Sequence, residues 1–171
     1  MAIQDFESWR AELYETGNLF HDVPDDPEAE ELANQQMFRY IGLVKQIRGK
    51  GGVDAVVALI GSMRAEEDEG AYEDTMEALE FFPEAELGRG AALAWRELVS
   101  IPKKFSGEVL FGCCQTGAGS VGAFNEVYSE LDDEPKRLVG ELIAYHENGT
   151  WLSGPERGLL RPVRDTFFDS L

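Results

Sequence analysis

The sequence predicts an all-α protein, and three observations carry the prediction. Apolar residues recur at steps of three and four through most of the chain. The periodic segments run roughly ten to fifteen residues, longer than ordinary strands. Glycines, prolines and aspartates fall between them, where helices are expected to stop and start.

Taken in order, a first helix is expected from Ile3 to Glu15, with Phe6, Trp9 and Leu13 turned inward and Gly17 placed to stop it. Pro24 and Pro27 mark the linker that follows. Asp25, with Glu28 three residues on, resembles a capping box with an aspartate cap. It opens a long helix through Leu32, Tyr40, Leu43 and Ile47, which Gly49, Gly51 and Gly52 end. Two more helices fit Val53 to Arg64 and Ala71 to Phe82, the second closed by Pro83 because proline cannot continue a helix interior. The pattern resumes at Glu86 with Leu93, Trp95, Leu98 and Val99, until Pro102. Val109 to Cys114 is a short apolar run that periodicity alone leaves open between a buried strand and a helix turn. Phe124 to Leu131, Pro135 to His146 and Pro155 to Phe168 read as three further helices, with Asn148-Gly149 between the last two.

No linker divides the chain, so residues 1–171 are expected to form a single helical domain. Short-linked helices, several in pairs, predict either stacked helical hairpins of the HEAT kind or an irregular helical bundle, and no fixed-period signature recurs to choose between them. A hydrophobic fraction of 43% beside 28% charged supplies enough apolar material for a core, which excludes a disordered acidic tail.

The charge excludes several partners. With 33 acidic and 15 basic residues the formal net charge is −18, which repels nucleic-acid backbones and anionic membrane surfaces. It is also polarised along the chain. Between Glu66 and Glu86 there are ten acids and no lysine or arginine, whereas Arg39, Lys45, Arg48, Lys50 and Arg64 dominate the preceding segment. Glu66, Glu69, Glu73, Glu77, Glu80 and Glu84 follow at helical steps and are expected to form one acidic stripe, with Tyr72, Met76 and Leu79 on an apolar face of the same helix. Such a stripe serves either as a solvated face or as a docking surface for a basic partner, and the stretch itself holds no cation to relieve the repulsion.

Gly117-Ala118-Gly119-Ser120-Val121-Gly122 matches the G-x-G-x-x-G pattern that approaches a pyrophosphate. The following parallel strand ending in an acid is missing: Asp132 and Asp133 lie in a hydrophilic turn before another helix, so an inter-helix loop is the expectation. Lys50 beside Gly51 and Gly52 lacks the rest of a phosphate loop. His21 and His146 have no second histidine or cysteine at metal-ligand spacing, and Asp22 to Asp26 lacks the glycine and terminal glutamate of a calcium loop, so no cofactor or metal is expected. Cys113-Cys114 lacks the two-residue spacer of a redox motif and is expected in the core, as are Trp9, Trp95, Trp151, Phe81, Phe82, Phe167 and Phe168.

Adjacent cysteines cannot close an ordinary disulfide loop, which points to a reducing compartment. Met1 to Phe20 carries Asp5, Glu7, Glu12 and Glu15 where a secretory signal needs a basic start and an apolar run. Val53 to Ile60, the longest apolar stretch, is interrupted by Asp54 and too short for a bilayer of about 30 Å. The expectation is cytoplasmic, and the Asn148-Gly149-Thr150 sequon then has no consequence.

In size, acidity and helical character the chain resembles the immunity proteins that bacteria pair with secreted polymorphic toxins. That resemblance implies tight, non-catalytic inhibition of one cognate toxin, often a nuclease, by covering its active site or an essential surface. A nuclease presents cations to phosphate, so an acidic protein can occupy the same surface. The Glu66 to Glu84 stripe is the expected contact. Two other classes remain open: a helical adaptor that takes a peptide or protein in a concave apolar groove, and a nucleotide-dependent enzyme centred on Gly117, Gly119 and Gly122.

Overall fold

The computed structural model describes residues 5–19 and 25–161. Among the described residues the chain is all-helical: α1 (Phe6–Gly17), α2 (Pro27–Ile47), α3 (Gly52–Ser62), α4 (Ala71–Glu80), α5 (Glu84–Leu93), α6 (Trp95–Ser100), α7 (Lys103–Thr116), α8 (Ala118–Glu130) and α9 (Asp133–Glu147). No described helix is long and apolar enough to cross a membrane.

Side-chain caps set the first two starts. Asp5 precedes α1, and its carboxylate accepts from the Ser8 amide at 3.2 Å. At α2 the cap is Asp26 rather than the expected Asp25: it accepts from the Glu28 amide at 3.4 Å, with Pro27 in the first turn, where a missing N–H costs nothing. Gly17 is the last residue of α1, and its role is packing. A Cβ there would lie 2.5 Å from the Ser62 carbonyl oxygen. The ambiguous run Val109 to Cys114 is helical, in the middle of α7.

α1, α3 and α5 lie side by side in one row and α2, α4 and α7 in a second, with α1, α3 and α5 touching α2, α4 and α7 respectively. Up to this point the paired stacking expected from the sequence holds. It breaks at Ala94, whose ψ of 26° bends the chain between α5 and α6. α8 then packs along α5 and α9 against α6, making the whole an irregular bundle around a bent central helix. The α5–α8 approach is backbone-close, since a Cβ on Gly88 would overlap the Ser120 carbonyl.

Behind α4 the core is polar as well as apolar. Tyr40, Tyr72 and Phe105 form an edge-on aromatic chain, with ring centroids 5.6 and 4.8 Å apart. The Tyr72 hydroxyl donates to Gly17 O at 2.6 Å and accepts from the Ala65 amide at 2.9 Å. Tyr40 Oη lies 2.9 Å from Ser62 Oγ and 2.6 Å from Thr75 Oγ1. Every one of these hydroxyls has a partner, which a buried polar group needs to avoid a cost of about 1–3 kcal/mol.

The helix expected from Pro155 to Phe168 is not formed over its described part. Residues 151–161 are bends and turns, and Gly158 has φ +82°. This segment folds back on α9 because the buried Glu147 carboxylate accepts from the Gly158 amide and from Arg161, both at 2.8 Å. His21, Phe167 and Phe168 lie outside the described residues.

Candidate functional site: an acid-rimmed groove between two helices

The expected six-glutamate stripe is broken into three parts. Glu66 and Glu69 precede α4, in a turn where Glu69 has φ +47°, a left-handed conformation that cannot belong to a helix. Glu84 follows it, on the first turn of α5. Only Glu73, Glu77 and Glu80 share the exposed face of α4. α4 is short because its start is fixed by the buried Asp68, whose carboxylate accepts from the Tyr72 amide at 2.8 Å, and its end by Pro83.

The two flanks of that face differ in charge. Toward α2 the acids are neutralised from a distance in sequence: Asp74 sits 3.2 Å from Lys45, and Glu77 pairs with Arg48. The repulsion that looks unrelieved in the sequence is thus relieved on this side. Arg48 also stacks 4.2 Å over Phe81, which is 56% exposed rather than in the core.

Toward α7 the acids form no ion pair among the described residues, and Lys104, one turn before Glu108 on α7, acts on Glu108 only from beyond ion-pair distance. A groove of about 320 Å³ opens there, with Met76, Leu79, Leu87, Val109 and Phe111 among its apolar lining and Glu80 and Glu108 at its edges. Trp151, from the turn segment after α9, forms one wall, its ring centroid 5.8 Å from that of Phe111. Glu108 is half-buried, and burial is the main cause that pushes its carboxyl above the usual range. Lys104 opposes that shift, while Asp68 and Glu73 add to it. Among the described residues Glu73, Glu80 and Glu108 have no ion-pair partner. A half-desolvated carboxylate facing other acids favours a cation supplied from outside the chain.

Two other recesses are already committed. One of about 590 Å³ is lined by Tyr128, Ile143, Glu147, Leu160 and Arg161, and its carboxylate is held by Gly158 and Arg161. One of about 370 Å³ holds Arg64 and Arg96, but Arg64 donates to Gly61 O at 2.8 Å at the end of α3, where the helix dipole favours a cation.

The glycine pattern lies at the junction of two helices, not after a strand, and α8 begins at Ala118 rather than at Phe124. Gly117 has φ +148° and ψ −179°, open only to glycine. The Gly119 amide donates to Glu84 Oε2 at 2.9 Å, and a Cβ on Gly117 or Gly119 would lie within 2.9 Å of that carboxylate. The N-terminus of α8, where a phosphate would sit, is therefore filled by an internal acid from α5.

His146 is buried at the end of α9, its Nε2 3.1 Å from Ser106 Oγ, and burial followed by the nearby Lys103 charge lowers its pKa. Both side chains are sealed from solvent, so the pair is structural. Burial likewise pushes the Cys113 thiol up to about 12 and that of half-buried Cys114 to about 11, neither a reactive thiolate. No group of three or more His, Cys, Asp or Glu among the described residues could hold a metal ion.

Glu108, Phe111, Gly112 and Trp151 escape a reading of the sequence as site residues. Glu108 directly precedes the apolar run Val109 to Cys114, and its approach to α4 depends on a crossing that no motif encodes. The sequence matches no protein-family model, and comparison with curated proteins and with solved structures finds no match.

Proposed function

We propose that this protein is a non-catalytic binding protein that neutralises a basic partner protein, in the manner of a toxin-immunity protein, using the α4–α7 face. The observation that carries the proposal is the asymmetry of α4. Its acids toward α2 are paired within the chain, while Glu80 and Glu108 border an apolar groove with no ion-pair partner among the described residues, and Glu73 lies near enough to act on the charge of Glu108. An interface built this way combines an apolar centre for affinity with a charged rim for rapid and selective encounter. A toxin nuclease, whose phosphate-binding surface must be cationic, is the partner class that this rim and a net charge of −18 fit best.

The test begins by capturing partners on the tagged protein at low and high salt from its source cells, followed by association kinetics with the stoichiometric basic protein recovered. Glu73→Lys with Glu80→Lys is expected to slow association by about ten-fold or more and flatten its salt dependence. Glu28→Lys with Glu30→Lys, an equal charge change on the first turn of α2, is the control. Equal effects of the two pairs would reduce the face to bulk charge and remove it as the binding site.

A further inference from the structure

Glycine in a helix interior is unfavourable by about 0.5–1 kcal/mol relative to alanine, so each helical glycine invites a reason. At Gly17, Gly61, Gly88, Gly90 and Gly107 the reason is internal, because a Cβ would strike neighbouring atoms. Gly112, in the third turn of α7, has nothing within 4 Å of where a Cβ would stand, and it lines the groove. Gly42 and Gly122 also face open space, but neither lines the groove. The backbone of α7 is bare at the one place where the groove floor would otherwise be filled by the chain's own side chain.

Resting on the basic-partner reading, we infer that the groove is an anchor pocket: Gly112 keeps open a slot for one large apolar side chain of the partner, flanked in the partner's sequence by lysine or arginine. The slot is walled by Phe111 and Trp151 and floored by Met76 and Leu79, a set that suits an aromatic or long aliphatic group. Glu80 and Glu108 border the same slot and meet the flanking cations. Because Glu108 is half-buried, its pair is shielded from solvent more than a rim pair, which ties the cation to the anchor rather than to the surface at large. A purely acidic ligand is repelled, and a purely polar cation leaves the apolar floor uncovered.

The probes are three acetylated pentapeptides, Lys-Lys-Phe-Lys-Lys, Lys-Lys-Ala-Lys-Lys and Glu-Glu-Phe-Glu-Glu, titrated into the 15N-labelled full chain. The first is expected to shift the Gly112 amide and the Trp151 indole resonances and to bind at least about ten-fold more tightly than the second. Gly112→Phe, which fills the slot from within, is expected to keep the thermal midpoint and to abolish that advantage. Equal affinity of the two lysine peptides, or a phenylalanine advantage that survives Gly112→Phe, overturns the anchor while leaving a basic partner in place. Glu-Glu-Phe-Glu-Glu binding as tightly as Lys-Lys-Phe-Lys-Lys overturns the basic-partner reading instead. No shift with any of the three overturns the pocket, and the peptide comparison on the unaltered chain stands whether or not the variant folds.

Discussion

Five residues apart on α7, Gly107 and Gly112 have opposite surroundings. At Gly107 the Trp151 ring and the His146 imidazole press on the helix so closely that a Cβ would overlap both. At Gly112 the helix is bare. Trp151 lies over the first and walls the space above the second, so one side chain divides the closed end of α7 from the open one. The same residue type in the same helix thus answers two demands, close packing and vacancy, and only the neighbours distinguish them.

The largest effect is expected at the closed end. Gly107→Ala forces Trp151 or His146 aside, at a cost toward the upper end of the roughly 1–3 kcal/mol typical of overpacking, measured by chemical denaturation. It is also expected to alter Trp151 fluorescence in a Trp9→Phe, Trp95→Phe background. If neither changes, the closed end is softer than its contacts imply.

His146 supplies the next test. Its folded-state pKa lies below the ordinary 6.5, so the unfolded chain takes up the proton first. The stability of the neutral, buried form is full above about pH 6.5 and is lost as pH falls toward the folded pKa. His146→Gln is expected to flatten that part of the stability-pH curve, although other groups continue to titrate below it. A slope unchanged by the substitution would show that the imidazole is solvated.

The smallest effect is expected at the open end and has the opposite sign. Gly112→Ala adds a helix-favouring methyl in free space, raising stability by about 0.5–1 kcal/mol in the same denaturation assay. A loss of stability there would mean that the slot closes in solution. Between them the two alanine variants measure how far the ends of α7 differ.

The fold was largely legible because helix periodicity and breakers are local. Trp9, Leu13, Tyr40, Leu43 and Ile47 are buried as their spacing predicts, and Pro83 and Pro102 fall at helix boundaries. The misreadings have two causes: local backbone features, such as caps and breakers, that periodicity overlooks, and contacts between residues apart in sequence. The Pro155 helix yields to the Glu147 clasp, the acidic stripe is divided by Asp68 and Pro83, and Arg48 and Lys45 neutralise acids some thirty residues away. Phe81, adjacent to buried Phe82, is turned outward beneath Arg48. The candidate site was half legible. Its acids stood out by composition, but the groove exists only where α4 crosses α7, and no period within either helix announces that crossing.

The Glu84 clasp carries a consequence for how this sequence can change over time. Glutamates on the face of α4 can be exchanged one at a time, but Gly117 is held by its φ of +148° and Glu84 by the Gly119 amide it accepts from, whereas a methyl on Gly119 has only to push aside the end of the exposed Glu84 side chain. Descendants are expected to keep Gly117 most strictly, and any larger residue at position 119 to be accompanied by a shifted or shorter side chain at position 84. A motif that looks like the mark of a nucleotide would then be inherited as a joint between helices, passed on for the sake of an acid the chain already owns.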